Sequence, residues 1–283
     1  MNKTIMAPIW LMYPNIPQGS IGWRMGYGEN YSMEFSKWYF GLSEHEKKEF
    51  DDKYPKPICW DLLEDKLLRY DKFWTYKWTS DNSPVYSVDD ILKEKKTGIE
   101  RNQILFWGHH PRNETEIDKS CLSQWYMADF YVGHIKYCCM EQYMMSKKAE
   151  LFGNVEIRDR IMNTDKQEEI KQLGREVRPF ESKIWNQFKR SIVLTGNYYK
   201  FSQIPKLRHF LMDTGEALLV EASPYDEIWG IGLSEEAARE GNVDHWRGRN
   251  LLGFALMEVR DELRHLWKYE SEIDFESLHQ QFD

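Results

Sequence analysis

The sequence predicts a predominantly helical α+β fold, and three observations carry that prediction. Beyond residue 101, short apolar runs of strand length alternate with longer segments whose apolar residues recur at helical spacing. Hydrophobic residues make up 41% of the 283, enough to fill one large or two modest cores. No internal repeat and no low-complexity tract points to a solenoid or a disordered tail.

The elements follow in order. The first hundred residues hold six of the 12 tryptophans. Helix-like pieces are read at Met33–Leu42, Ser43–Phe50 and Trp60–Phe73, with turns at Gly26-Tyr27-Gly28 and Tyr54-Pro55-Lys56-Pro57. The polar run Thr79-Ser80-Asp81-Asn82-Ser83-Pro84 and a charged helix Val88–Lys96, stopped by Gly98, mark a boundary. The chain therefore divides into an aromatic-rich N-terminal accessory region, 1–100, and a main domain, 101–283. The main domain reads as a strand Ile104–Trp107, then helices Glu141–Phe152, Thr164–Leu173, Ser182–Tyr199 and Pro205–Asp213. A short strand Ala217–Glu221 and a helix Asn250–Trp267 complete it.

Composition narrows the function. Net charge is −8, with 14 basic and 16 acidic residues in the first hundred and 24 and 30 beyond. Neither part is a basic arm, so strong non-specific grip on duplex DNA is not expected. No apolar run reaches the roughly 18 residues of a membrane span, and Pro8 interrupts the N-terminus before a secretory leader could form. A cytoplasmic protein without membrane contact is expected. The cysteines Cys59, Cys121, Cys138 and Cys139 form no CxxC and have no histidine at finger spacing, so they read as reduced packing residues. His109-His110 lacks a companion ligand set, and no metal is expected. Aromatic residues reach 15%; they fill cores, and they also stack on bases.

One helix carries a chemical signal. With Glu141 at zero, Lys148 falls at roughly 340° for about 100° per residue, within the arc of Met144, Met145, Leu151 and Phe152. Gln142, Ser146 and Glu150 are expected on the opposite, wet face. A carboxylate and an ammonium on an apolar stripe are costly to desolvate, and functional sites are where such pKa values become perturbed. The plain alternative is a structural ion pair with Lys148 snorkelling outward.

Two further stretches look chemical. Leu218 to Gly232 runs from a strand into a loop bearing Asp226, Trp229, Gly230 and Gly232, which can offer a carboxylate, a flat ring and open backbone to one ligand. An ordinary turn with a tucked tryptophan reads the same way. Trp246 to Gly253 opens the last long helix through Gly248-Arg249-Asn250, a start suited to phosphate, although Asn250 also fits a plain N-cap. Arg175 ends the helix of Leu173-Gly174 and can reach a phosphate or a structural carboxylate.

Taken together, these stretches resemble the NADAR family, whose members include the YbiA-type N-glycosidases. The match is carried by Ile104-Leu105-Phe106-Trp107, Leu122-Ser123-Gln124-Trp125 with Phe130, Glu141-Gln142-Tyr143-Met144-Met145 with Lys148-Ala149, and Leu173-Gly174-Arg175. It continues through Lys200-Phe201, Thr214-Gly215, Val220-Glu221-Ala222-Ser223, Asp226-Glu227-Ile228-Trp229-Gly230 and Gly248-Arg249-Asn250-Leu251-Leu252-Gly253. The ordered set spans residues 102–268 and leaves 1–100 uncovered.

The resemblance implies a YbiA-like fold and hydrolysis of an N-glycosidic bond at C1 of a phosphorylated ribose, with no cofactor. It implies Glu141 and Lys148 as the catalytic pair, with Asp226 and Trp229 in the pocket. Lys148, rather than Lys147, matches the family spacing. Asp226 then serves the reacting sugar, Trp107 and Trp229 with Gly230 meet the base or adenine, and Arg175, Arg249 and Asn250 hold phosphate. The implied substrates are ADP-ribosylated guanine, in a nucleotide or single-stranded DNA, or early riboflavin intermediates. The first makes a DarT-type ADP-ribosyltransferase the functional partner, with this chain as antitoxin or counter-defence. A non-catalytic ADP-ribose reader is the reading of another class.

Overall fold

A computed structural model describes residues 5–113, 115–240 and 242–283. Met1 to Thr4, part of the stretch read as lacking a leader, lie outside the described residues. The chain opens with a short helix α1 (Ile9–Met12), α2 (Tyr27–Phe40) and α3 (Glu44–Lys53). α3 starts at a reciprocal cap, Ser43 Oγ accepting from Glu46 N and Glu46 accepting from Ser43 N. A hairpin of β1 (Leu67–Tyr70) and β2 (Phe73–Tyr76) follows, then α4 (Val88–Lys96) and β3 (Gln103–Phe106). Next come a second hairpin, β4 (Phe130–Val132) and β5 (Ile135–Tyr137), and the central helix α5 (Met140–Leu151). α6 (Val155–Met162), α7 (Gln167–Glu176), α8 (Ser182–Gln203) and α9 (Pro205–Asp213) lead to β6 (Leu218–Glu221). The chain closes with α10 (Glu235–Glu240), α11 (Leu251–Leu266) and α12 (Phe275–Phe282). The fold is helix-rich α+β, as the sequence predicts.

Three differences from the sequence reading have physical causes. Trp60–Phe73 is not a helix: Asp71 takes a left-handed conformation, φ 51°, and turns the β-favouring residues on either side into the first hairpin. The second hairpin escaped notice because its strands have three residues each and its turn rests on Gly133 at φ 64°. The wet face expected on α5 is reduced to Glu150, which is partly exposed. Gln142 and Ser146 are buried, because α6, α7 and α8 all pack on this helix. Gln142 meets that burial with three hydrogen bonds, accepting from Cys138 N and donating to Ile161 O and Thr164 O.

β3 and β6 form a parallel pair, with Phe106 opposite Glu221. α11 packs on β6 so closely that a Cβ at Gly253 would lie 2.0 Å from Leu219 O. The first hundred residues and the rest share one contiguous core. Trp78 Nε1 donates to Thr195 Oγ1 at 3.2 Å, Ile58 N to Glu262 Oε1 at 2.8 Å, and Tyr86 OH to Asp261 Oδ2 at 2.5 Å. Among the described residues no helix is long and apolar enough to cross a membrane.

Candidate active site

The C-terminal ends of a parallel strand pair are where open sheets gather ligand-binding loops. Here β6 delivers Glu221 and then the loop bearing Asp226, while α5 brings Glu141 and Lys148. The start of α5 is fixed by Glu141 N donating to Gln124 O at 2.9 Å. The segment holding Gln124 is anchored by fully buried Lys200 on α8, whose Nζ donates to Cys121 O at 2.6 Å and Ser123 O at 3.3 Å.

Glu141 is 5% exposed. Burial pushes its pKa up to about 7 and Asp226 adds to the rise, while Lys171, a hydrogen bond from Trp125 and Arg175 oppose it. Near neutral pH it is therefore a proton donor. Lys148 is half-buried, and its pKa is lowered by burial and by Arg178, with the Glu141 charge pulling the other way. Its Nζ donates to Gly174 O at 2.7 Å and stands 4.5 Å from the Phe180 ring centre and 5.7 Å from that of Trp185. This geometry needs glycine: a Cβ at Gly174 would fall 2.0 Å from Met145 Sδ, so any other residue would push α7 off α5. Neighbouring Lys147 pairs with Glu150 at 2.8 Å instead.

Asp226 Oδ1 accepts from Ile228 N and Trp229 N, each at 2.8 Å, which leaves Oδ2 for other work. Trp229 packs against the core. Gly230 is buried, with no room for a Cβ beside Glu221 O at 2.8 Å. The helix start after Arg249 does not offer open N–H groups. Arg249, Asn250, Leu251 and Leu252 donate to the carbonyls of Glu227, Gly230, Ile228 and Trp229. The protein's own loop thus fills the place where phosphate was expected. Asn250 is fully buried at φ 51°, donating to Leu219 O at 2.9 Å and accepting from Glu221 N at 3.0 Å. It fastens loop and helix to β6. Asn250→Ala strands both backbone groups and is expected to cost roughly 2–4 kcal/mol, lowering Tm by roughly 5–12 °C, as calorimetry would show.

Arg175 and Arg249 are exposed at the rim, and neither has an ion-pair partner among the described residues. Lys189 adds a third cation, its pKa lowered by burial and Arg249 and supported by Asp226. Trp107 is 51% exposed and lies 6.3 Å from Tyr225, centre to centre.

Sequence reasoning missed four members of this site. Glu221 has one carboxyl oxygen sealed without a partner, and burial, then Asp226 and Glu141, push its pKa up to about 8. Trp125 helps hold the Glu141 pKa down and stacks beneath Lys171, whose Nζ is 5.3 Å from its ring centre. Lys171 and Lys189 complete the set. The strand-end position of Glu221 and the Leu122-Ser123-Gln124-Trp125 stretch were readable signals; Lys171 and Lys189 depend on how α7 and α8 fold back. Glu221 also yields a stability test. Its folded pKa exceeds the usual carboxylate value, so stability is present below about 4.5 and lost as pH rises toward about 8. Glu221→Gln removes that loss, so its Tm relative to wild type is expected to improve between pH 5 and 8. A pH-independent Tm difference would contradict this.

Comparisons with known proteins identify the family of the chain. The NADAR domain profile matches residues 105–264. An N-glycosidase of Acanthamoeba polyphaga mimivirus is 42% identical over 169 residues, covering 58% of this chain and 98% of that protein. The N-glycosidase YbiA of Escherichia coli is 29% identical over 116 residues, 41% of this chain and 66% of that protein. The NMR structure of E. coli YbiA gives a TM-score of 0.47 at 24% identity, covering 58% of this chain and 86% of that one.

Proposed function

We propose that this chain, which belongs to the NADAR family and is a hydrolase of N-glycosyl bonds, removes ADP-ribose from ADP-ribosylated guanine in single-stranded DNA. One observation carries the reading: a buried acid with its pKa raised to about 7 sits within electrostatic reach of a half-buried lysine, inside a rim of unpaired cations. Cleaving an N-glycosyl bond needs a proton on the leaving nitrogen and stabilisation of positive charge at C1. Glu141 supplies the first. Asp226 supplies the second by its charge, and Lys148 by bonding to C1 as a neutral amine.

In the reading we favour, Glu141 protonates the leaving nitrogen as the C1–N bond breaks and the neutral Lys148 amine bonds to C1. Proton transfer to the ring oxygen opens the ribose, leaving a Schiff base on Lys148. Water then adds at C1 and releases the sugar and the free amine. Asp226, through Oδ2, holds a ribose hydroxyl or faces the developing cation. Arg175, Arg249, Lys171 and Lys189 take the pyrophosphate. The rival route runs through an oxocarbenium ion and a carboxylate-activated water, with Lys148 acting by its charge alone. Physiologically the activity reverses a DarT-type ADP-ribosyltransferase, as antitoxin or counter-defence.

The same cationic rim suits a ribosylaminopyrimidine phosphate of early riboflavin synthesis, so the test is a competition. Purified protein receives an ADP-ribosylguanine oligonucleotide and the pyrimidine phosphate at equal concentration, with products resolved by chromatography. Higher kcat/KM on the guanine adduct is expected. Consumption of the pyrimidine alone overturns the substrate assignment, and retention of ADP-ribose without release of guanine overturns the enzymatic one.

A further inference from the structure

We propose that Trp107 and Tyr225 form a stacking surface for the nucleotides flanking the one that is cleaved, so that the site receives a single-stranded polynucleotide. This inference rests on the reading that the scissile base belongs to a strand. Trp107 follows Phe106 at the end of β3, and Tyr225 directly precedes Asp226, so both rings stand beside the acid cluster. They are 51% and 88% exposed, with ring centres 6.3 Å apart and planes tilted by 55°.

Two large rings left in water at the mouth of a polar site do not serve the core. A base laid against them would recover that exposed surface, and every base has a face to offer. Gly108, beside Trp107, has open space on its Cβ side, with no atom within 4 Å, so a strand can pass close to this backbone. The loop then reaches His109, whose ring centre is 5.5 Å from that of Trp125, which helps hold the Glu141 pKa down. Two aromatic pairs, Trp107 with Tyr225 and His109 with Trp125, thus sit on either side of Gly108 in the chain. Arg175 and Arg249 on the same rim lack acidic partners among the described residues, so the positive field around the pyrophosphate they take also favours a strand at this face. A net charge of −8 would repel a polyanion elsewhere, which confines binding to this face.

The test uses fluorescence anisotropy with a labelled, unmodified oligothymidylate, which offers no scissile bond. Substituting both residues, Trp107→Ala with Tyr225→Ala, is expected to weaken binding at least about tenfold, the scale of one lost base–ring stack. Tyr225→Phe alone is expected to keep the wild-type affinity, since the ring remains. In parallel, the ratio of kcat/KM on an oligonucleotide to that on the ADP-ribosylguanosine mononucleotide should fall about as much in the double variant. Unchanged oligothymidylate affinity overturns the proposal, as does equal loss on both substrates, which would assign the rings to the cleaved nucleotide itself. So does loss of binding in Trp74→Ala instead, which would move the surface to the first hairpin. Because oligothymidylate binding needs no turnover, these outcomes stand apart from failure of the glycosidase reading.

Discussion

Glu141→Gln is expected to lower kcat by about a hundredfold to ten-thousandfold, the range for losing a positioned proton donor. Glutamine keeps the shape and the anchoring of Glu141 N on Gln124 O while removing the transferable proton. The pH dependence follows from the same burial. Because the folded pKa of Glu141 is raised to about 7, its protonated form dominates below that value, and Glu141 contributes to wild-type kcat a factor that falls as pH rises through it. The residual rate of the glutamine variant should lack this limb. Stability moves with the same sign: the protonated acid stabilises the fold below about 4.5, and that contribution is lost by about 7. A glutamine variant that kept the wild-type pH profile would remove Glu141 from its role.

Lys148→Ala is expected to lower kcat by about a thousandfold or more, as for loss of a covalent nucleophile. The lysine is held by Gly174 O and two ring faces, and burial and Arg178 lower its pKa, so more neutral amine is present than on a surface lysine. Its amine gains as pH rises while Glu141 loses its proton, and the two limbs give a bell-shaped profile. Lys148→Arg separates the two chemical routes. Guanidinium keeps the charge and cannot act as an amine nucleophile, so a dead arginine variant favours the Schiff base, whereas substantial rescue favours the oxocarbenium route with a purely electrostatic lysine. Borohydride added during turnover should trap sugar on the wild-type protein and not on Lys148→Ala.

Periodicity put the candidate pair on one face, and the family resemblance alone gave it catalytic roles. Glu141 and Lys148 lie two turns apart, and helical geometry alone placed them on one face. Helices were read for the same reason, Pro205–Asp213 to the residue and the short charged one around Val88 to Lys96. What the sequence hid depends on contacts distant along the chain. The burial of Gln142 and Ser146 follows from three helices closing on α5, and no local pattern encodes that. Lys171 reaches Glu141 because α7 folds back across α5, and Trp125 because its neighbour Gln124 accepts from Glu141 N. The start of α11 read as an open anion site because a Gly-Arg-Asn turn looks the same whether its N–H groups face water or a neighbouring loop. Here the 227–230 carbonyls take them.

The central claim is that the Glu141–Lys148 pair breaks a base–ribose bond. The most direct measurement is mass spectrometry of an ADP-ribosylguanine oligonucleotide incubated with wild type and with Lys148→Ala, both shown to be folded by circular dichroism. Restoration of the unmodified strand with free ADP-ribose by wild type, and its absence with Lys148→Ala, is the expected result. Restoration by the alanine variant at the wild-type rate would contradict it.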